Sequence, residues 1–133
     1  MTLFYLVIEL QSRRITWVRA GHDPGLLYCP ETDRFEELSG AGLALGVDED
    51  WEFEDYSRTV EPGQIVLLTT DGIFEAHNPA GEMFGKARFK EIVRQNAKLE
   101  AEGLRKAVFE AVTEFRGAEP QEDDITLVIL KFV

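Results

Sequence analysis

Carboxylates stand against the two most apolar runs in the second half of this sequence. Asp71 closes Gln64-Ile-Val-Leu-Leu-Thr-Thr70, and Asp123-Asp124 open Ile125-Thr-Leu-Val-Ile-Leu-Lys-Phe132. If those runs are neighbouring antiparallel strands, the end of one lies beside the start of the other, and the acids meet at one sheet edge. Ionised carboxylates held close repel each other unless a cation or a proton intervenes. A hard divalent cation with oxygen ligands is the usual resolution, and the chemistry this suggests is metal-assisted attack by water.

Each motif also has a plainer reading. Thr69-Thr-Asp-Gly72 fits an ordinary turn, because Asp-Gly is a common turn dipeptide. Against that, Ile73-Phe-Glu-Ala76 continues apolar instead of returning as a strand, which leaves Asp71 exposed at a strand tip, where ligands usually sit. Glu122-Asp123-Asp124 fits a solvated acidic turn, but acids abutting a buried strand are costly to desolvate unless something pairs with them. Thr126 is placed to orient that turn by a local hydrogen bond. His22, in Ala20-Gly-His-Asp-Pro-Gly25, is either a shaped-loop residue or a metal ligand, with no second histidine near it in sequence. His77 sits in the polar turn Ala76-His-Asn-Pro-Ala-Gly81 as a cap or a solvent-facing side chain. The glycines at 40, 42 and 46 match neither a phosphate loop nor a dinucleotide fingerprint and read as a structural bend. Ser39 lacks a nucleophile elbow and Cys29 lacks a base, which weakens nucleophilic hydrolase readings.

The elements that must position these residues follow from periodicity. Met1 to Leu10 reads as a strand apolar on both faces, followed by a turn and a second strand over Ile15 to Ala20. Leu26 to Cys29 and Arg34 to Leu38 form another hairpin, Trp51 to Val60 alternates as a half-exposed strand, and Pro62-Gly63 turns into the run that ends at Asp71. From Lys86 the period changes. Phe89, Ile92 and Val93 share one helical face. Leu104, Val108, Val112 and Phe115 define a second helix, which starts near Glu100 and ends at Gly117. Strands, two helices and a final strand predict an α+β fold with helices packed on a mostly antiparallel sheet or sandwich.

With 133 residues, residues 1–133 are expected to form a single domain. A formal net charge of -11 argues against nonspecific binding to nucleic acid or to an anionic membrane, both of which need clustered Lys and Arg. One cysteine excludes an internal disulfide and fits a reducing compartment, so the expected location is the cytoplasm. The apolar start lacks a basic leader region and carries Glu9, and no run reaches transmembrane length. The doubly apolar first strand implies neighbours and cover that an upstream segment would supply.

Five motifs occur in a recognisable order: Ala20-Gly-His-Asp-Pro24, Leu43-Ala-Leu-Gly46, Thr70-Asp-Gly-Ile-Phe-Glu-Ala76, Phe84-Gly85 with Arg88, and Asp123-Asp-Ile-Thr126. Together they resemble the stage II sporulation protein E type of bacterial serine phosphatase, in the metal-dependent superfamily that includes protein phosphatase 2C. The resemblance spans nearly all of Met1 to Val133. It implies a β-sandwich flanked by helices and two Mn or Mg ions at one end of the sandwich. It also implies removal of phosphate from serine or threonine of a regulatory protein, such as an anti-sigma-factor antagonist, by in-line attack of a metal-activated water. By motif, Asp71 and Asp123 are the implied catalytic metal ligands, with Asp124 ranked below Asp123 because the wider superfamily often has Asn there. The family's upstream Gly-Asp motif and its Gly-His-Gly or Gly-Lys-Gly motif do not occur in this sequence, so the chain matches roughly the C-terminal two-thirds of such a domain. Weak or absent metal binding, an inactive isolated chain, and a homodimer or strand-exchanged assembly follow from that gap. The competing reading is a catalytically silent interaction module on the same fold.

Overall fold

Two hairpins open the chain, whose computed structural model describes residues 1–133. Strand β1 (Leu3–Glu9) pairs antiparallel with β2 (Arg14–Ala20) from Leu3↔Ala20 to Glu9↔Arg14. Strand β3 (Gly25–Cys29) pairs with β4 (Arg34–Leu38). Strand β5 (Asp55–Thr59) then joins the first hairpin and β6 (Ile65–Thr69) the second. Helices α1 (Gly85–Asn96) and α2 (Ala101–Arg116) follow, and β7 (Leu127–Lys131) closes the second sheet. The sheets run β1-β2-β5 and β4-β3-β6-β7.

The expected sandwich with helices is present, and its layers explain the apolar runs. Ile15, Trp17, Leu27, Leu38, Val60 and Val66 pack between the two sheets. Leu26, Tyr28, Ile65 and Leu67 point the other way, against Phe89 and Val93 of α1 and Leu104, Val108 and Val112 of α2. Successive residues of β3 and β6 therefore alternate between two cores, which is why both strands read as continuous apolar stretches. Helix α2 stops where its sequence predicts: Gly117, at φ 60°, donates its N–H to the Thr113 carbonyl at 3.1 Å.

Two elements differ from expectation. The strand predicted over Trp51 to Val60 is confined to Asp55–Thr59. Its partner β2 gives up the pairing beyond Val18 because Arg19 is taken by another loop. There a Cβ on Gly42 would lie 1.7 Å from the Arg19 carbonyl oxygen, and the Arg19 guanidinium donates to the Gly40 carbonyl at 2.9 Å. The bend containing glycines 40 and 42 thus occupies the space a longer β5 would need. The second difference is β1. It forms a sheet edge, with Phe4, Leu6 and Ile8 packed toward the inter-sheet core and Leu3, Tyr5 and Val7 exposed on the opposite face.

Candidate active site

The pairing of β6 with β7 settles whether the acids meet. Thr69 lies opposite Leu127 at the end of an antiparallel ladder, so the residues after Thr69 and those before Leu127 share one edge. The backbone continues this pairing past the strands. Thr70 N–H donates to the Thr126 carbonyl at 3.1 Å, the Thr70 hydroxyl donates to the Asp124 carbonyl at 3.1 Å, and Thr126 N–H donates to the Thr70 hydroxyl oxygen at 2.9 Å. The hydroxyl that orients the acidic turn is therefore that of Thr70, where the sequence had suggested Thr126. Asp71 is held by the turn that follows it, where Glu75 N–H donates to its carbonyl at 2.9 Å.

Gly72 makes this juncture close. A Cβ at 72 would stand 2.3 Å from the Asp124 carbonyl oxygen, so any side chain there would push the two acidic segments apart. The Asp-Gly pair is thus a packing requirement between two loops and does not form a hairpin turn. Asp123 is steadied within its own loop: its carboxylate accepts from the Asp124 N–H at 2.8 Å, and its carbonyl accepts from the Gln121 amide at 3.0 Å.

A third segment enters the same cleft. Gly21, at φ 69° and packed against Ala44, reverses the chain after β2 and turns His22 and Asp23 inward. Arg19 fixes that reversal by donating to the His22 carbonyl. Thr2, Gly21, His22, Asp23, Thr70, Asp71, Asp123 and Asp124 line an open cleft of about 230 Å³ with no hydrophobic side chain in its wall. The predicted residues Asp71 and Asp123 are brought together with Asp124. His22 joins them at the wall, its ring edge-on to Phe4 and its Nδ1 2.9 Å from the Asp23 carbonyl. His77 lies outside the cleft, facing Glu122 across 3.7 Å.

Asp23 is the acid whose role sequence reasoning missed. Hydrogen bonding to its carboxylate, then partial burial, then the negative charges of Asp23 and Glu75 push Asp71 up to about 6, while His22 pulls in the opposite direction. The signal in the sequence was the Asp of Gly-His-Asp-Pro, but nothing local indicates that it meets Asp71.

The raised value has a consequence for stability. In the unfolded chain Asp71 ionises near 3.8, whereas in the folded chain it holds its proton up to about 6. The folded state is therefore favoured at low pH. That advantage disappears as pH rises between those values, and the ionised carboxylates repel above them. Asp71→Asn should raise the melting temperature of the cation-free chain by about 3 °C at pH 7.5, after discounting for solvent screening, and leave it unchanged near pH 4. Differential scanning calorimetry at the two pH values checks this, and a loss of stability at both would contradict it.

The donor chemistry fits a hard cation. Every side-chain acid in the cleft offers carboxylate oxygen, no thiolate is present, and the negative charge that Asp23 and Glu75 bring toward Asp71 is what a divalent ion relieves. The fit is partial in number, since no group of three or more His, Cys, Asp or Glu side chains is arranged at ligand geometry. These acids do not by themselves make a complete coordination shell.

With this geometry in view, comparison with known proteins decides the lineage. The family model for stage II sporulation protein E matches residues 1–133. The chain belongs to the stage II sporulation protein E family. Among its relatives are the phosphoserine phosphatase RsbU of Bacillus subtilis, 24% identical over 131 residues, and the protein IcfG of Synechocystis, 30% identical over 127 residues. These alignments cover 98% and 96% of this chain but 38% and 20% of the relatives, so the chain spans well under half of either. Among solved structures, the SiaA-PP2C domain of Pseudomonas aeruginosa superposes with a TM-score of 0.79 at 26% identity, over 92% of this chain and 48% of that one. The phosphatase domain of SpoIIE from Bacillus subtilis, from a manganese-presoaked crystal, gives 0.73 at 19% identity, over 98% of this chain and 56% of that one. The sandwich-and-helix architecture of these solved domains is thus the one described above.

Proposed function

We propose that this chain supplies the catalytic cleft of a bacterial signalling phosphatase that hydrolyses phosphoserine or phosphothreonine on a regulatory protein. An anti-sigma-factor antagonist fits the substrate class that the family resemblance implies. The observation that carries the reading is the convergence of Asp71, Asp123, Asp124 and Asp23 at the tips of β6, β7 and β2. Asp71 and Asp123 would hold Mn or Mg, with Asp23 and Asp124 as neighbouring acids that raise the local negative charge. Bound there, the divalent ions would supply Lewis-acid activation of water and charge neutralisation at the phosphoryl group. Further oxygen ligands would come from water or from polypeptide beyond these 133 residues. Water attacks phosphorus, the bond from phosphorus to the serine oxygen breaks, and that oxygen leaves with a proton.

The chain's own residues set the geometry. Thr70 and Gly72 fix the spacing of the two acidic segments, and Arg19 with Gly21 presents Asp23 from the opposite side. Manganese-dependent phosphate release from a phosphoserine peptide, compared between the wild type and Asp71→Asn, tests the reading. Activity that is absent from the wild type in the complete polypeptide would favour a silent interaction module on the same fold.

Assembly is the second element of the proposal. No helix is long and apolar enough to cross a membrane, and the proposed setting is the cytoplasm. Strands β1 and β7 are sheet edges, and β1 exposes Leu3, Tyr5 and Val7 beside its unpaired backbone. The isolated chain is expected to sediment as a homodimer through these edges. A monomer at micromolar concentration would contradict this.

A further inference from the structure

Positive charge is concentrated in one place on this acidic chain. Residues 85–99 carry five of its fourteen Lys and Arg and one of its twenty-five Asp and Glu. Lys86, Lys90 and Arg94 recur at four-residue spacing on α1, which places them along one slowly winding stripe about 12 Å long, and Lys98 follows in the turn just past the helix end. Lys86, Arg94 and Lys98 are exposed and Lys90 is half-buried. Arg94 is occupied by Asp33 at 2.8 Å and Glu91 at 3.3 Å, but none of the three lysines forms an ion pair. Lys90 and Arg94 flank the ring of Phe35, with Lys90 Nζ 5.4 Å from its centre, so an aromatic face lies under the stripe. Its first residue lies against the segment that follows Asp71: Lys86 Nζ sits 5.6 Å from the ring of Phe74, three residues after Asp71.

We propose that this stripe docks an acidic segment of the phosphoprotein that the cleft acts on. This inference rests on the phosphatase reading above and names the recognition surface it lacks. A chain of net charge -11 repels a phosphorylated, acidic partner at long range. A local row of unpaired lysines beginning at the segment after Asp71 offers positive charge along one approach, and favours partners whose acidic residues lie on one side of the phosphorylated residue. Exposed charges of this kind act mainly through encounter and orientation, so their effect fades as salt shortens the screening length.

The test measures binding without requiring turnover. The probes are two fluorescent peptides with the same phosphoserine, one followed by a tail of about eight glutamates and the other by the same number of serines, long enough to span the stripe at about 3.3 Å per residue. At about 50 mM salt the chain should bind the acidic peptide about tenfold more tightly, and the preference should shrink toward unity near 0.5 M. Lys86→Glu/Lys90→Glu/Lys98→Glu should erase the preference, and the corresponding Gln triple should reduce it in part. A control with the same change in net charge, Arg13→Glu/Arg105→Glu/Lys106→Glu, should retain it. Equal loss in the control would show a net-charge effect and overturn the proposal. So would no preference in the wild type, or salt-dependent self-association in which a second copy occupies the stripe. If the complete polypeptide hydrolyses neither peptide with manganese while the stripe-dependent preference persists, the docking inference stands and the phosphatase reading fails.

Discussion

Asp71→Asn is expected to lower manganese-dependent phosphate release from a phosphoserine peptide roughly 10³-fold in the complete phosphatase, the rate equivalent of about 4 kcal/mol. The substitution keeps the shape of the side chain and removes its charge. The fold around it should be preserved: the Asn side chain keeps a hydrogen-bonding group toward Asp23, and the turn is fixed through the residue-71 backbone carbonyl. The loss should therefore appear in catalysis while folding is preserved, and near-neutral pH should even stabilise the variant for the reason given by its raised ionisation. Steady-state phosphate release with a parallel melting curve separates the two effects. Retained activity would remove Asp71 from the mechanism.

Phe89→Ala should have the largest effect on stability, costing about 3–5 kcal/mol. Phe89 is fully buried on α1 and sits edge-to-face with Phe74 at 5.4 Å between ring centres. Phe74 belongs to the turn that follows Asp71, so the same cavity would loosen the cleft. In a domain with total stability of only about 5–15 kcal/mol, such a variant is marginal at body temperature. Urea unfolding gives the magnitude. Phe109→Ala, on a half-buried position of α2, should cost clearly less, and an equal cost at both positions would contradict the packing account.

Much of this architecture was legible because its causes are local. The continuous apolar runs of β3 and β6 reflected burial against two cores, the change of period at Lys86 marked α1, and Gly117 marked the end of α2. The meeting of Asp71 with Asp123-Asp124 was legible too, because strand polarity alone forces it once β6 and β7 pair. What escaped reading depends on contacts between distant segments. The early end of β5 reflects Gly42 lying against Arg19, and the orienting hydroxyl belongs to Thr70 because the acidic segment runs alongside the end of β6. Asp23 reaches Asp71 only through the reversal at Gly21. Gly72 looked like a turn residue, and its function is space for the Asp124 carbonyl.

The central claim is that the strand-tip acids form the cation cleft, and manganese titration followed by amide NMR tests it most directly. Paramagnetic broadening detects even weak binding, and the acidic stretch Asp48-Glu-Asp-Trp-Glu-Phe-Glu-Asp55 provides an internal competitor within the same chain. Substoichiometric manganese should first broaden the amides around His22-Asp23, Asp71-Gly72 and Asp123-Asp124, and Asp71→Asn should abolish that selectivity. Broadening led by residues 48–55, or a pattern unchanged by Asp71→Asn, would contradict the account.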